Sequence, residues 1–343
     1  MEKPSGEPPE FRAFLEETPW HADFGAHPPA SDAEVEMVLV EPRAHPLLVP
    51  VLRNVSHMFP NLALTVVHSA ANAGVLRDLL TPNVCLLPLL PPDLTVDQYS
   101  RLLTSPFFWH ALTAPRILIF QTDAGVFRNT ILDFLEYDYV GAPWRVSWCP
   151  RASGEPCYVG NGGLSLRSRV AMLEASVRGD AASFPFAEDV FFARTVPAAR
   201  VAPPEVATQF SAEMVLSYRP MGFHKVWDVG HSPQQVATFF ARNARFARNE
   251  AQRRDVQIVR AWTSSEGVEK SDDSDTNSDD LRRWLRLGVS ATGFWLGCGA
   301  LLPVPASTTV LHIAFQVDGE DIARHLVVQR RRTLTPCSIN SPM

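Results

Sequence analysis

Cysteine is scarce and unpatterned in this chain of 343 residues. Its five cysteines, Cys85, Cys149, Cys157, Cys298 and Cys337, are odd in number and form no CxxC pair. That excludes a disulfide framework and a zinc ribbon, and a reducing compartment suits them best. A surplus of positive charge is also missing: 31 Lys and Arg face 37 Asp and Glu, for a net charge of -6. A protein that grips nucleic acid through a broadly basic surface is not expected. Glycine is modest at 18 against 29 prolines, which gives many loops and stops but no collagen-like repeat. The opening stretch, MEKPSGEPPEFRAFLEETPW, lacks the apolar run of a signal peptide.

Long uncharged runs are equally limited. Leu287 to Val317 carries no Asp, Glu, Lys or Arg and follows Arg282, Arg283 and Arg286. Its length alone would allow a membrane span. Pro303, Pro305, four glycines and a Ser-Thr-Thr run argue against one. Residues 308–329 read better as two strands that turn at Asp318-Gly319. A cytoplasmic protein is the favoured expectation, with membrane association through 287–315 as the weaker alternative.

What is present is a large apolar fraction. Hydrophobic residues make up 46% and charged residues 20%, enough for a sizeable core. Residues 1–35 read as a flexible arm rich in Pro, Glu and Ala. From Glu36 apolar runs of strand length (37–42, 62–69, 84–89, 116–123) alternate with helical segments (46–58, 74–80, 95–104). This alternation predicts an α/β fold with a mostly parallel sheet and helices on both faces. Thr95 is placed to cap the last of these helices. Further on, 129–136, 168–178, 188–195 and 232–256 read as helices, with strand and turn at 138–144 and 158–169. The acidic stretch 263–280 is low in complexity and reads as a disordered linker. The expected domain therefore spans 36–262, and 281–343 is a C-terminal segment without an assigned role.

Four spots could carry chemistry. Asp123 follows the strongest strand signal, where the carboxyl ends of parallel strands bind ligands. It could hold a divalent metal, or simply cap a turn. Gly160-Asn161-Gly162-Gly163 allows close approach or positive φ, or is an ordinary tight turn. It is no P-loop, because no Gly-Lys-Ser/Thr follows, and it is no dinucleotide fingerprint, because it opens no early βαβ unit. Glu188-Asp189 stands at an expected helix start, where acids favour the dipole, and Asp189 could instead act as a general base. His224-Lys225, in Gly-Phe-His-Lys-Val-Trp, could supply a metal ligand and a phosphate contact, or belong to a surface loop. Glu41 and His68 end early strands and are candidates to line a nucleotide pocket. Trp144 and Trp227 could wall a sugar, though such residues more often pack.

Together these residues resemble a known pattern. EPRAHP (41–46), LRNV (52–55), VVHS (66–69), LLTSPFFW (102–109), LIFQTD (118–123), DFLEYDYVGAPW (133–144), VGNGGLSLRSR (159–169), EDVFFAR (188–194), FSAE (210–213) and GFHKVW (222–227) resemble a poorly characterised glycosyltransferase-like family, a domain of unknown function. The resemblance covers roughly 36–230. More distantly, QTDAGVFRN (121–129), the glycine turn and EDVFF are similar to fringe-like and β-1,3-galactosyltransferase enzymes. That resemblance implies a GT-A-like fold, a UDP-sugar donor, Mn2+ or Mg2+, and an inverting transfer to a glycan or other hydroxyl acceptor. It implies Asp123 and His224 as metal ligands and Asp189 as base. Asp123, Gly162, Gly163 and Lys225, with Glu41 and His68, would hold the donor. Ala124 and Gly125 stand where those enzymes carry a second and third acid. A single carboxylate with one His is a poor cage for a hard cation. The rival readings are a binding module without catalysis and a phosphoester hydrolase that uses the same carboxylates.

Overall fold

The computed structural model describes residues 6–18, 20, 34–60, 62–79, 84–147, 151, 154–179, 187–252, 256–264, 288–290, 293–295, 301–302, 310–317 and 320–327. Contacts divide the chain into two compact units, Met1–Gln252 and Arg253–Met343.

The first unit opens with helix α1 (Pro9–Glu17), strand β1 (Val35–Val40), α2 (Leu48–Met58), β2 (Ala63–His68), α3 (Ala73–Leu79) and β3 (Cys85–Pro88). There follow α4 (Val96–Leu103), α5 (Pro106–His110), β4 (Arg116–Phe120), β5 (Ala124–Val126) and a 3-10 turn (Ile131–Phe134). Then come β6 (Tyr139–Val140), β7 (Ala142–Pro143), β8 (Val159–Gly160), β9 (Leu164–Ser168), α6 (Arg169–Arg178) and α7 (Glu188–Thr195). After a second 3-10 turn the unit ends with α8 (Pro204–Phe210), β10 (Ser211–Ala212), β11 (Gly222–His224) and α9 (Pro233–Gln252).

The main sheet has the order β3-β2-β1-β4-β9-β6. Strands β1 to β4 are parallel, and β9 runs antiparallel to β4 and β6. The α/β class read from the sequence is the observed one. Alternation within the strands explains the two layers, because neighbouring side chains leave a strand on opposite faces. Met37, Leu39, Leu118 and Phe120 join one core with residues of α1, α2 and α9. Val38, Val40, Ile117 and Ile119 join the other with residues of α5, α6 and α7. Local signals set the helix starts. Thr95 and Gln98 make a reciprocal capping box at α4, and Ser168 accepts from Ala171 N at α6.

Three sequence expectations change. The arm at 1–35 is not featureless: α1 buries Phe11, Phe14 and Leu15, each at 2% exposure or less. Three large apolar side chains on one short amphipathic helix outweigh a proline-rich composition. The expected helix at 129–136 is one short 3-10 turn at Ile131–Phe134. The helix expected over 232–256 ends at Gln252.

In the second unit β12 (Val256–Ser264) pairs antiparallel with β16 (Val310–Val317), which pairs with β17 (Glu320–Val327). Three short strands, β13 (Gly288–Ser290), β14 (Gly293–Trp295) and β15 (Leu301–Leu302), form another small sheet. The two strands expected across 308–329 are both present, while Asp318 and Gly319 lie outside the described residues. Most of the linker 263–280, together with Cys149, Cys298 and Cys337, also lies outside them. Cys85 is a free thiol. Among the described residues no helix is long and apolar enough to cross a membrane.

Candidate functional site

The site is assembled where β4 ends. Beyond Phe120 the chain passes Asp123 and continues as β5, an edge strand paired antiparallel with β11. Asn54 of α2 fixes β5 by donating to Val126 O (3.0 Å) and accepting from Val126 N (2.8 Å). Its fully buried amide takes the place of a neighbouring strand. The register sets Ala124 opposite His224, and Lys225 N donates to Asp123 O at 3.1 Å. Behind this pair Phe11 and Phe14 of α1 stack edge-on with Phe223. The residue just before His224 is therefore held by the first helix.

The His224 ring lies between two carboxylates. Nδ1 is 2.9 Å from Glu213 Oε1 and Nε2 is 3.2 Å from Asp123 Oδ1. Burial alone would lower the imidazole. Asp123, by charge and hydrogen bond, and then Glu213 outweigh that and push it up to about 10. Burial works to raise Asp123, and the neighbouring His224, with Lys225, takes it down to about 2.

The glycine turn forms the wall between this cluster and a second one. Gly163 O accepts from Gln121 N at 3.0 Å, tying the turn to the end of β4. A Cβ on Gly163 would collide with the His224 ring, and one on Gly162 would collide with Glu188 Oε1. The sequence offered positive φ as one reason for these glycines. The left-handed residue is instead Asn161 (φ 89°), which tolerates that region. Its Oδ1 accepts from Gly163 N at 2.8 Å. The glycines supply clearance.

The second cluster begins α7. Glu188 is buried and bidentate with the fully buried Arg167, at 2.6 and 3.2 Å. The guanidinium lies over the rings of Tyr139 and Phe192. Asp189 forms no ion pair among the described residues and feels Arg167 only through its charge. It accepts from Asn161 N at 3.2 Å and Val190 N at 2.8 Å. Burial, then the charges of Glu188 and Glu213, push its carboxyl up to about 6.

Asp123, Gly162, Gly163, Asp189 and His224 thus converge. Lys225 joins them by its backbone, while its half-exposed ammonium pairs with Asp228 at 3.2 Å. Glu41 is buried and accepts from Arg43 N, Nε and Nη2 and from Thr122 Oγ1. His68 turns onto the Ser69 carbonyl at 3.0 Å. Trp144 and Trp227 both pack, Trp144 within the core and Trp227 on Phe11 at 4.7 Å between centroids. Sequence reasoning assigned no role to Glu213, Arg167 or Arg43. Glu213 and Arg43 occur only inside the quoted motifs, and nothing in the local pattern marks them.

A divalent cation fits the first cluster in part. Asp123 Oδ1 and His224 Nε2 are buried and satisfy no well-aligned hydrogen bond, though 3.2 Å apart. Adjacent ligands on an octahedral ion with bonds near 2.1 Å stand about 3 Å apart. Among the described residues no three acidic, His or Cys side chains make a complete cage. Water and a diphosphate would have to complete the shell.

Comparison with known proteins names no chemistry for this centre. A family profile described as a protein of unknown function (DUF5672) matches residues 93–224. That span contains Asp123, the glycine turn, Glu188-Asp189, Glu213 and His224. No curated protein matches significantly. Similar solved structures include 4-diphosphocytidyl-2C-methyl-D-erythritol synthase from Anaerococcus prevotii. It is 10% identical at TM-score 0.34, over 47% of this chain and 83% of that one. The glycosyltransferase GlyE of Streptococcus pneumoniae is 10% identical at TM-score 0.38, over 63% of this chain and 62% of its own. Likenesses at this level carry no argument about the site.

Proposed function

We propose that the chain transfers a sugar from a nucleotide sugar, UDP-linked, to a hydroxyl acceptor by a single inverting displacement. One observation carries this reading: Asp189, in no ion pair among the described residues and raised to about 6 despite the charge of nearby Arg167, lies across the glycine turn from the Asp123–His224 pair. A base with that affinity is ionised at neutral pH and still able to accept a proton. Asp189 takes the proton of the acceptor hydroxyl, whose oxygen bonds to the anomeric carbon. The bond from that carbon to the diphosphate breaks, and its electron pair leaves with the nucleoside diphosphate. Glu188 is not the base, because Arg167 already holds both its oxygens.

Asp123 and His224 would hold a divalent cation, Mn2+ or Mg2+, whose charge stabilises the departing diphosphate. Lys225, anchored to Asp123 through its backbone, adds a cation at the rim. Gly162 and Gly163 allow the donor to lie close to the main chain. The α/β sheet and the position of Asp123 beyond a central strand agree with a GT-A-like arrangement. Glu41 contributes indirectly by fixing Arg43.

One feature favours a binding module without turnover. Ala124 is fully buried in β5, so the position after Asp123 brings no second carboxylate to its side. A panel of nucleotide sugars incubated with the protein, Mn2+ and glycan acceptors decides the matter by product mass spectrometry. The transferase reading expects a glycosylated acceptor and free UDP. UDP binding without any product supports the binding module.

A further inference from the structure

We infer that Glu213 is a positioning residue of this centre: it holds the His224 imidazole so that Nε2, beside Asp123 Oδ1, faces a divalent cation. The inference rests on the proposed donor site. Glu213 follows β10, which pairs in parallel with β11, so Ser211 stands opposite Gly222 and Ala212 opposite Phe223. The next residue of each strand is Glu213 or His224, and the register delivers carboxylate to imidazole. Both side chains are 12% exposed, and the contact is 2.9 Å. With Nδ1–H donating to Glu213 Oε1, a cation that displaces the Nε2 proton to solvent meets the ring's lone pair on that nitrogen.

Other contacts leave the pair little freedom. The Glu213 carbonyl is 2.9 Å from His231 Nε2, and His231 Nδ1 is 3.1 Å from Arg145. Gly163 fits against the imidazole so closely that a Cβ would strike Cδ2 and Nε2. The ring cannot turn over without leaving its carboxylate. Two protein ligands are few for a cation, so the basicity and aim of each count heavily. A carboxylate behind a ligating imidazole supplies both.

The test is Mn2+ binding, followed by electron paramagnetic resonance in the presence of UDP, on the full chain. Glu213→Leu should weaken Mn2+ about 10- to 100-fold. Glu213→Gln keeps an oxygen acceptor for Nδ1–H and should recover a large part of that loss. A merely structural glutamate would not give this ordering at equal melting temperatures. If Glu213→Leu does not fold, a several-fold loss in Glu213→Gln against wild type carries the test. Wild-type affinity in the Leu variant, or in the Gln variant when it stands alone, overturns the inference. So does a Gln variant no better than Leu. A wild type that turns over UDP-sugar yet takes up no Mn2+ overturns this inference alone. One that neither binds nor uses any sugar nucleotide overturns the transferase reading with it.

Discussion

The two charged clusters on either side of Gly162-Gly163 use similar groups in opposite ways. Around His224 a single potential cation is shared by two carboxylates, Asp123 and Glu213. Around Arg167 a cation is committed to one carboxylate, Glu188, and its neighbour Asp189 is left alone. The first arrangement concentrates negative charge at the proposed cation site. The second leaves one acid basic enough to accept a proton. Burial is common to both; the partner decides whether a buried acid falls to about 2 or rises to about 6.

The largest way to break this contrast is at Arg167. Glu188→Ala strands a fully buried guanidinium and should cost about 3–5 kcal/mol of stability, read by urea denaturation. A cost under about 1 kcal/mol would mean Arg167 finds another partner. Next comes Gly163→Ala, whose methyl must displace the His224 ring. Overpacking of that kind costs about 1–3 kcal/mol. Metal affinity should fall with it, while a surface change such as Val177→Ala leaves both untouched.

The wall of glycines also shows what the sequence could and could not reveal. The strands β1 to β4 were legible because their apolar runs are period-two on both faces, and α4 because Thr95 caps it. Asp123, the glycine turn and Asp189 were legible as residue types at the ends of such elements. Glu213 was not, because its meaning comes from the pairing of β10 with β11, which lies across a long loop. Arg167 was hidden inside a strand that reads as ordinary LSLRS. The helix at 9–17 was masked by surrounding prolines and acids, although Phe11, Phe14 and Leu15 already had helical spacing.

A smaller effect separates the clusters by pH. The carboxyl of Asp189 rises from 3.8 to about 6 on folding. Between those values the folded chain binds a proton that the unfolded chain does not, so stability falls as pH rises through that window. Asp189→Asn removes the penalty. Its NH2 replaces one of the two oxygens that accept backbone N–H groups, so the effect is read as a difference: relative to wild type the variant should gain up to about 2 kcal/mol between pH 3.5 and pH 8. Equal melting temperatures of variant and wild type at both pH values would show that Asp189 is not raised. The smallest effect is expected at Lys225, half-exposed and paired with Asp228. Lys225→Ala should weaken UDP by about 1 kcal/mol or less, with or without Mn2+, as measured by calorimetry.

The central claim is that Asp189 takes the acceptor proton, and Asp189→Asn tests it most directly. The variant keeps the shape and one of the two oxygens that accept backbone N–H groups, Oδ2 from Asn161 and Oδ1 from Val190 in the wild type. With a UDP-sugar and acceptor on which the wild type turns over, its rate at pH 7.5 should fall by at least about a hundredfold. Calorimetric affinity for UDP should stay within about twofold, since the proposal sets Asp189 against the acceptor and not the donor. Near-wild-type turnover in the variant would contradict the account.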